Sequence, residues 1–421
     1  IPAFLSLFYA LAFLVIKILF DSKSTFVNIL IFSLVLSIFE YLRGTILSGF
    51  PWNLFAYSLS ENIKIIQINS LIGIYAFNMT LITVFCAPSI LILYKQKKDI
   101  LGLLLIIFLS ASSLIYGNLR INDFKKLEVQ NLPFAIKILS TNISIERFYS
   151  STEDDKILIK LIDLSNPIDT TNSIFIWPEG VIPNISLDSL KKEYDYLFKK
   201  SFSKNHKIIL GINYDEIKNE KKSFYNSLSV IDNEANVEHR YYKNKLVPFG
   251  EFLPLENFLS KIGMKSLTNN YQSYTPSNER KLFSLDQNKS IKFLPLICYE
   301  IIYSGQISLD NDFDFIINIS EDGWFGNSIG PYQHFSHSIF RSIEEGKSII
   351  RSTNNGTSAL IDPYGQISKI SESTYEGVIE INQIKNPKKT FFSKYGNNMF
   401  FYFIAIYISL IFFLKTNREI K

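Results

Sequence analysis

The sequence predicts an α/β domain held between two blocks of membrane-spanning helices, and three observations carry that reading. Long apolar segments lie only toward the two ends of the chain. Between them, short β-rich apolar runs alternate with charged, helically patterned stretches, as in a layered α/β arrangement. Of the 421 residues, 47% are hydrophobic and 15% aromatic, so much of the chain meets lipid or a large apolar interior.

Taken in order, Pro2 to Phe20, Phe26 to Leu42, Leu71 to Tyr94, Ile100 to Tyr116 and Met399 to Leu414 are the candidate spans. Each is long enough, or nearly so, to cross a hydrocarbon core of roughly 30 Å at about 1.5 Å per residue. One of the shorter segments could instead be a buried core helix. The chain then divides into a membrane block over 1–117, a globular domain over 118–397, and a last span with its tail over 398–421. Lys and Arg flanking spans prefer the cytoplasmic side. Placing Lys95, Lys97 and Lys98 inside, with Lys415, Arg418 and Lys421 of the tail, puts the loop Asp21, Ser22, Lys23 inside as well. The globular domain is then extracytoplasmic. No signal peptide is visible, and with Ile1 on the outside an odd number of spans is expected upstream.

Within the domain, Ala135 to Leu139, Ser173 to Trp177, Lys207 to Ile212, Ser227 to Ile231, Lys292 to Cys298, Phe313 to Ile319 and Ser358 to Asp362 read as strands. Ile157 to Leu164, Ser189 to Ser203 and His334 to Gly346 read as helices. Three strand ends stop at chemically charged positions. The run Ile174, Phe175, Ile176, Trp177 enters a Pro178, Glu179, Gly180 turn, lifting a carboxylate out of the sheet between dry walls, where it can act as a general base. Lys243 is wedged between Tyr241, Tyr242 and the apolar loop from Leu246. Cys298 closes a mostly apolar strand. Taken singly, each also fits a bland role: a turn carboxylate facing water, a solvated basic hairpin, an inert buried thiol.

Composition excludes several classes. Two cysteines make no disulfide framework, and Cys86 lies inside a membrane segment, so Cys298 is the one thiol placed to react. The four histidines and the cysteines form no CxxC or HExxH spacing, which favours a mechanism without metal or cofactor. A net charge of +4 is too weak an imbalance to argue for nucleic acid.

Together, Glu179, Lys243 and Cys298 at successive strand ends resemble the nitrilase superfamily, and longer phrases narrow the match. Trp-Pro-Glu-Gly at 177–180, Tyr-x-Lys-x-x-Leu-Val-Pro-Phe-Gly-Glu at 241–251, Cys-Tyr-Glu at 298–300 and Asp-x-Trp-Phe-Gly at 322–326 resemble the apolipoprotein N-acyltransferases. So do Gly-Pro-x-Gln-His at 330–334, Arg-x-x-Asn-x-Gly at 351–356 and the membrane phrase Gly-Phe-Pro-Trp at 49–52. The resemblance implies a nitrilase-like four-layer α-β-β-α sandwich inserted between transmembrane helices, in the inner membrane with the catalytic domain on the periplasmic side. It implies transfer of an acyl chain from a phospholipid, phosphatidylethanolamine foremost, to the N-terminal amine of diacylglyceryl-cysteine in an apolipoprotein.

By the same resemblance Glu179 is the base, Lys243 the oxyanion partner and Cys298 the nucleophile that carries the acyl chain as a thioester in a ping-pong scheme. The family phrase places the lysine eight residues before Glu251, which selects Lys243 over Lys245. Glu251 is expected to orient Lys243 or Glu179, and Tyr299 and Glu300 to shape the pocket. Trp324 and Phe325, with the loop from Leu246 to Phe258, are candidate lids toward the bilayer, or packed loops. Arg43, beside the Gly49 to Trp52 phrase, is a candidate phosphate contact or an arginine snorkelling to the interface. The chain departs from the family at Phe148 and Tyr149, where a tryptophan is usual, and at Glu321, where Asn is usual. The rival readings are a membrane-tethered amidase acting on a small carbon–nitrogen substrate, a silent scaffold, and a Cys-His hydrolase using His334 or His337.

Overall fold

A computed structural model describes all residues except 1, 21–22, 94–95, 150–152, 219–220, 264–272, 287–289, 308–311, 372–374, 386 and 417–421. Among the basic-loop and tail residues that set the expected orientation, Asp21, Ser22, Lys95, Arg418 and Lys421 lie outside the described residues. The helices Pro2–Leu19, Thr25–Thr45, Asn69–Cys86, Lys97–Lys125 and Asn398–Thr416 are each long and apolar enough to cross a membrane. Buried Asp99 ties two of their starts together. Its carboxylate accepts from Ser24 Oγ at 2.7 Å, Phe26 N–H at 2.9 Å and Gln96 N–H at 2.9 Å, satisfying donors that open helix ends leave free.

Two spans differ from expectation. The segment Leu71 to Tyr94 is not one helix. Pro88 cannot continue the hydrogen-bond ladder, so the helix ends at Cys86 and a short helix, Ser89–Leu93, follows. The helix Lys97–Lys125 runs past Gly117. At about 1.5 Å per residue it is longer than a bilayer core is thick. Its last turns dock on the globular domain, with Phe124 4.4 Å from the Tyr364 ring and Arg120 4.1 Å over it.

Among the described residues, the globular part holds twelve strands. In chain order they are β1 (Gln130–Ser140), β2 (Ser173–Ile176), β3 (His206–Lys218), β4 (Lys221–Ile231), β5 (Val237–Tyr242), β6 (Phe283–Ser284), β7 (Lys292–Ile297), β8 (Phe315–Glu321), β9 (Ser348–Asn354), β10 (Ser358–Ile361), β11 (Ile367–Ser371) and β12 (Gly377–Ile384). They form two six-stranded sheets, ordered β12-β1-β2-β3-β4-β5 and β11-β10-β9-β8-β7-β6. The central pairs are parallel and the flanking ones antiparallel. Parallel strands are covered on both faces and read as continuous apolar runs, which is why β2, β7 and β8 were legible.

Side-chain alternation assigns the layers. Ile174 and Ile176 join the core between the sheets, while Phe175 and Trp177 face Leu158, Leu190 and Phe198 of the helices Asp154–Ser165 and Leu187–Ser201. The helix Gly330–Glu345 covers the second sheet with Ile339, Phe340 and Ile343. The result is the α-β-β-α sandwich. Ser352 Oγ on β9 crosses between the sheets to the carbonyls of Leu139 and Ile176, at 2.7 and 3.0 Å.

Polar contacts fasten this sandwich to the spans. Gly73 breaks its helix at φ 70°, freeing the N–H of Ile74, which donates to Glu344 Oε1 at 2.7 Å. Phe392 packs so closely that a Cβ on Gly73 would lie 2.0 Å from its ring. Gly73→Ala should therefore lower the thermal midpoint of the protein in detergent by several degrees, since a side chain at positive φ costs roughly 1–2 kcal/mol before the clash is counted. An unchanged midpoint would show that this junction does not contribute to stability.

Candidate active site

Each of the three strand ends supplies one of the expected site side chains. Glu179 follows β2 in a turn whose Gly180 sits at φ 57°. The neighbouring β3 makes room for it through Gly211, where a Cβ would lie 2.5 Å from Glu179 Cα and 3.0 Å from the Pro178 carbonyl. Lys243 follows β5 and stays tied to β4 by its N–H, which donates to the Asn226 carbonyl at 2.9 Å. Cys298 follows β7 at φ 49°, a left-handed conformation that a non-glycine residue adopts at a cost, and opens the tight turn Cys298–Ile302. All three line one cavity of about 590 Å³.

The charges in that cavity are buried and paired. Lys243 Nζ donates to Glu251 Oε1 at 2.9 Å and to Glu179 Oε1 at 3.2 Å. Asn226 Nδ2 donates to the same two carboxylates, at 2.7 Å each. The other oxygens accept from backbone: Glu179 Oε2 from Glu321 N–H at 3.0 Å, Glu251 Oε2 from Val247 N–H at 2.9 Å. Burial pulls the Lys243 ammonium down, but Glu179 and Glu251 outweigh it and hold it well above the usual lysine range. Lys243 is therefore a fixed cation. Burial pushes the Cys298 thiol well above the usual cysteine range, and the Glu179 charge adds to this while Lys243 opposes it. Cys298 therefore rests as a neutral thiol, and a carboxylate and an ammonium share its cavity.

The residues expected to support the site make these contacts. Fully buried Glu300 joins the lysine loop to the cysteine turn: Oε1 accepts from Tyr241 OH at 2.7 Å and the N–H groups of Asn244 and Lys245 at 2.9 and 3.2 Å, and Oε2 from Ile297 N–H at 2.8 Å. Glu251 touches both Lys243 and the amide shared with Glu179. Tyr299 OH donates to the Gly49 carbonyl at 3.2 Å, and Tyr303 OH to that of Ser48 at 2.7 Å, so the cysteine turn is pinned to a membrane loop.

Trp324 and Phe325 line the cavity, with Phe148 4.8 Å from the Trp324 ring. Phe50 and Trp52 of the membrane loop form another wall. Arg43 is not among the lining residues. It is buried, donating to the Phe50 carbonyl at 2.7 Å and Asn53 Oδ1 at 2.8 Å, and so shapes the loop from behind. The Lys245 ammonium lies 5.5 Å from the centre of the Tyr303 ring and is not a lining residue.

Neither histidine is placed as a thiol base. His334 Nε2 donates to the Cys298 carbonyl at 3.3 Å, while Nδ1 faces Asp322 at 2.9 Å. Against burial, Arg351 and His334 hold Asp322 down at about 2. His337 packs against Trp52 and Tyr57, and burial beside Arg341 keeps it well below the usual imidazole range. Sequence reasoning missed Asn226, Gly211 and the Asn213–Tyr274 pair, all lining or supporting the cavity. Asn213 and Asn226 stand opposite each other on β3 and β4, and polar residues pointing inward on two paired strands were the available signal.

A two-sheet sandwich with a carboxylate, an ammonium and a buried thiol converging from three strand ends is of the carbon-nitrogen hydrolase class, and residues 172–383 match that family. Residues 1–87 match the apolipoprotein N-acyltransferase N-terminal domain. The apolipoprotein N-acyltransferase of Rhodopseudomonas palustris is 30% identical over 99% of this chain and 78% of its own length. That of Rickettsia prowazekii is 32% identical over 91% and 75%. Among solved structures, an amidase from Nesterenkonia sp. AN1 is similar over 62% of this chain and 93% of its own, at 10% identity and a TM-score of 0.40. The chain belongs to the apolipoprotein N-acyltransferase family.

Two outcomes follow from the geometry. Alkylation of Cys298 by iodoacetamide should be slow at neutral pH and climb only above the pH at which ordinary thiols ionise. Glu179→Gln should speed it at fixed pH, because a negative neighbour that opposes ionisation is gone; a slower reaction would overturn this charge assignment. Gly211→Ala should displace Glu179 and lower acyl transfer on the order of 10²-fold while leaving Cys298 open to alkylation, as expected for a misplacement of about 1 Å. Transfer at the wild-type rate would show that the close approach of β3 does not position the base.

Proposed function

We propose that this chain transfers an acyl chain from a phospholipid, phosphatidylethanolamine foremost, through a thioester on Cys298 to the N-terminal amine of diacylglyceryl-cysteine in an apolipoprotein. Its setting is the inner membrane, with residues 1–117 and 398–421 as the membrane parts and 118–397 as a periplasmic catalytic domain. One observation carries the reading: the cavity that holds the buried thiol takes part of its wall, Phe50 and Trp52, from the loop that follows a membrane span. An amidase acting on a small soluble substrate has no use for such a wall, whereas a lipid ester reaches the thiol only from the bilayer. The aromatic residues of the lining, Phe50, Trp52, Phe148, Phe249, Trp324 and Phe325, also keep water from a thioester until the amine arrives.

The steps follow from the contacts. Glu179 accepts the Cys298 proton as the sulfur attacks the ester carbonyl carbon. The tetrahedral oxyanion meets the Lys243 ammonium, already cationic and immobile, and the N–H of Tyr299 in the first turn after the nucleophile. Collapse breaks the ester C–O bond, and Glu179 returns its proton to the departing lysophospholipid oxygen. In the second half the substrate amine attacks the thioester carbonyl, Glu179 takes a proton from the amine, and the proton passes to the sulfur as it leaves. Glu251 and Asn226 share the hydrogen bonds of Lys243 and Glu179 and so fix the ammonium and the carboxylate in their places, one as a charge and one as a base.

Cys298→Ala, Glu179→Gln and Lys243→Ala should each abolish transfer from radiolabelled phospholipid to a diacylglyceryl lipopeptide, with losses of at least about 10²–10³-fold for the lysine. Mass spectrometry of protein incubated with phospholipid alone should find an acyl mass on the Cys298 peptide. An enzyme that hydrolyses small amides yet never carries that mass would sink the proposal.

A further inference from the structure

Two charges buried beside the base take no part in the reaction proposed above. Arg147 lies on the turn Ile145–Tyr149, and Glu321 ends β8; their side chains are 2% and 1% exposed, and they form an ion pair. Replacing such a pair by apolar side chains often costs nothing, so its presence calls for a reason. The reason lies in what else the two groups grip. Arg147 forks the Gly180 carbonyl with Nε and Nη2, at 3.1 and 3.0 Å, and donates from Nη1 to the carbonyls of Ile143 and Ser144 at 3.2 and 2.9 Å. The Glu321 carboxylate accepts from Asn354 Nδ2 at 2.6 Å, Gly323 N–H at 2.7 Å and Asn355 Nδ2 at 3.3 Å. The Glu321 backbone N–H is the group that holds Glu179 Oε2.

Traced through, these contacts close a ring. Glu179 is bonded to Gly180, whose carbonyl is held by Arg147; Arg147 pairs with Glu321, whose N–H returns to Glu179. Glu179, Gly180 and Glu321 of the ring line the cavity, while Arg147 is not among the lining residues and grips them from behind. The guanidinium also backs the cavity's aromatic wall, lying 4.6 Å from the centre of the Phe148 ring.

We infer that Arg147 and Glu321 are a positioning pair for the reaction, clamping the turn that carries Glu179 so that one carboxylate oxygen faces Lys243 and Asn226 while the other is tied to backbone. This rests on the assignment of Glu179 as the base. A bidentate guanidinium and a carboxylate locked by three further donors are stiff, which suits a device that holds a carboxylate's angle rather than its charge.

The test uses the full chain in phospholipid nanodiscs with a diacylglyceryl lipopeptide acceptor, reading kcat, acceptor KM and thermal midpoint. Arg147→Met and Glu321→Gln should each lower kcat on the order of 10²-fold and leave KM nearly unchanged, the pattern of a displaced catalytic group. Either single change leaves a buried charge without its partner and lowers the midpoint as well. The neutral double variant should regain the midpoint yet keep kcat at least about tenfold down, because methionine cannot hold the Gly180 carbonyl. A double variant that regains kcat together with its midpoint, or single variants within about twofold of wild type, would overturn the inference. Glu179→Gln separates the two levels. If it still turns over, the base assignment fails and the pair's role with it; if it is inactive while the pair variants are unimpaired, the positioning role alone fails.

Discussion

The site depends on one buried ammonium held between two carboxylates. The Lys243 side chain is 1% exposed, so Glu179 and Glu251 must both stay within hydrogen-bond reach, and they in turn are kept from repelling each other by the ammonium and by the two N–H bonds of Asn226. Each group is needed by the next. Glu179 and Lys243 stand at strand ends of one sheet and Cys298 at a strand end of the other, so the thiol meets these charges only when both sheets are formed and packed. The same constraint fixes the ammonium in place, and burial keeps the Cys298 thiol protonated at rest.

A second consequence concerns the membrane. The cysteine turn is anchored through Tyr299 and Tyr303 to the carbonyls of Gly49 and Ser48, and Trp52 Nε1 donates to Gln333 Oε1 at 2.8 Å on the helix behind the site. Glu344 on that helix takes the N–H freed by the break at Gly73. The spans thus contribute polar contacts and a cavity wall as well as an anchor. This accounts for Arg43: its place is inside the loop that builds the wall, satisfying the Phe50 carbonyl, and the short reach of that contact leaves it outside the cavity.

How much was legible followed physical lines. The central strands β2, β7 and β8 are apolar on both faces and announced themselves, as did the helices with one apolar stripe. The strands β9 and β12 did not. β9 carries Arg351, Ser352 and Asn354 in its buried run, polar residues that only make sense once Asp322, Asn318 and the opposite sheet are in contact with them. β12 alternates like a surface strand because it is an edge of its sheet. The helix Lys97–Lys125 extends beyond the apolar span for a related reason: its last turns are polar yet stay helical because Phe124 and Arg120 are held by Tyr364, far away in the chain.

By itself the sequence pointed to Glu179, Lys243 and Cys298 at strand ends, to the apolar helices on both sides and to the sandwich of parallel strands between them, because these are written in local pattern and in phrases of fixed spacing. Tertiary structure alone decided the partners. Asn226 shares its amide between two carboxylates, Glu300 joins two loops, Gly211 makes room for the base, and Arg147 answers the charge of Glu321. Each of these contacts spans 25 residues or more of chain. A buried polar group must find a partner wherever the fold brings one, and spacing along the sequence carries no record of which residue that will be.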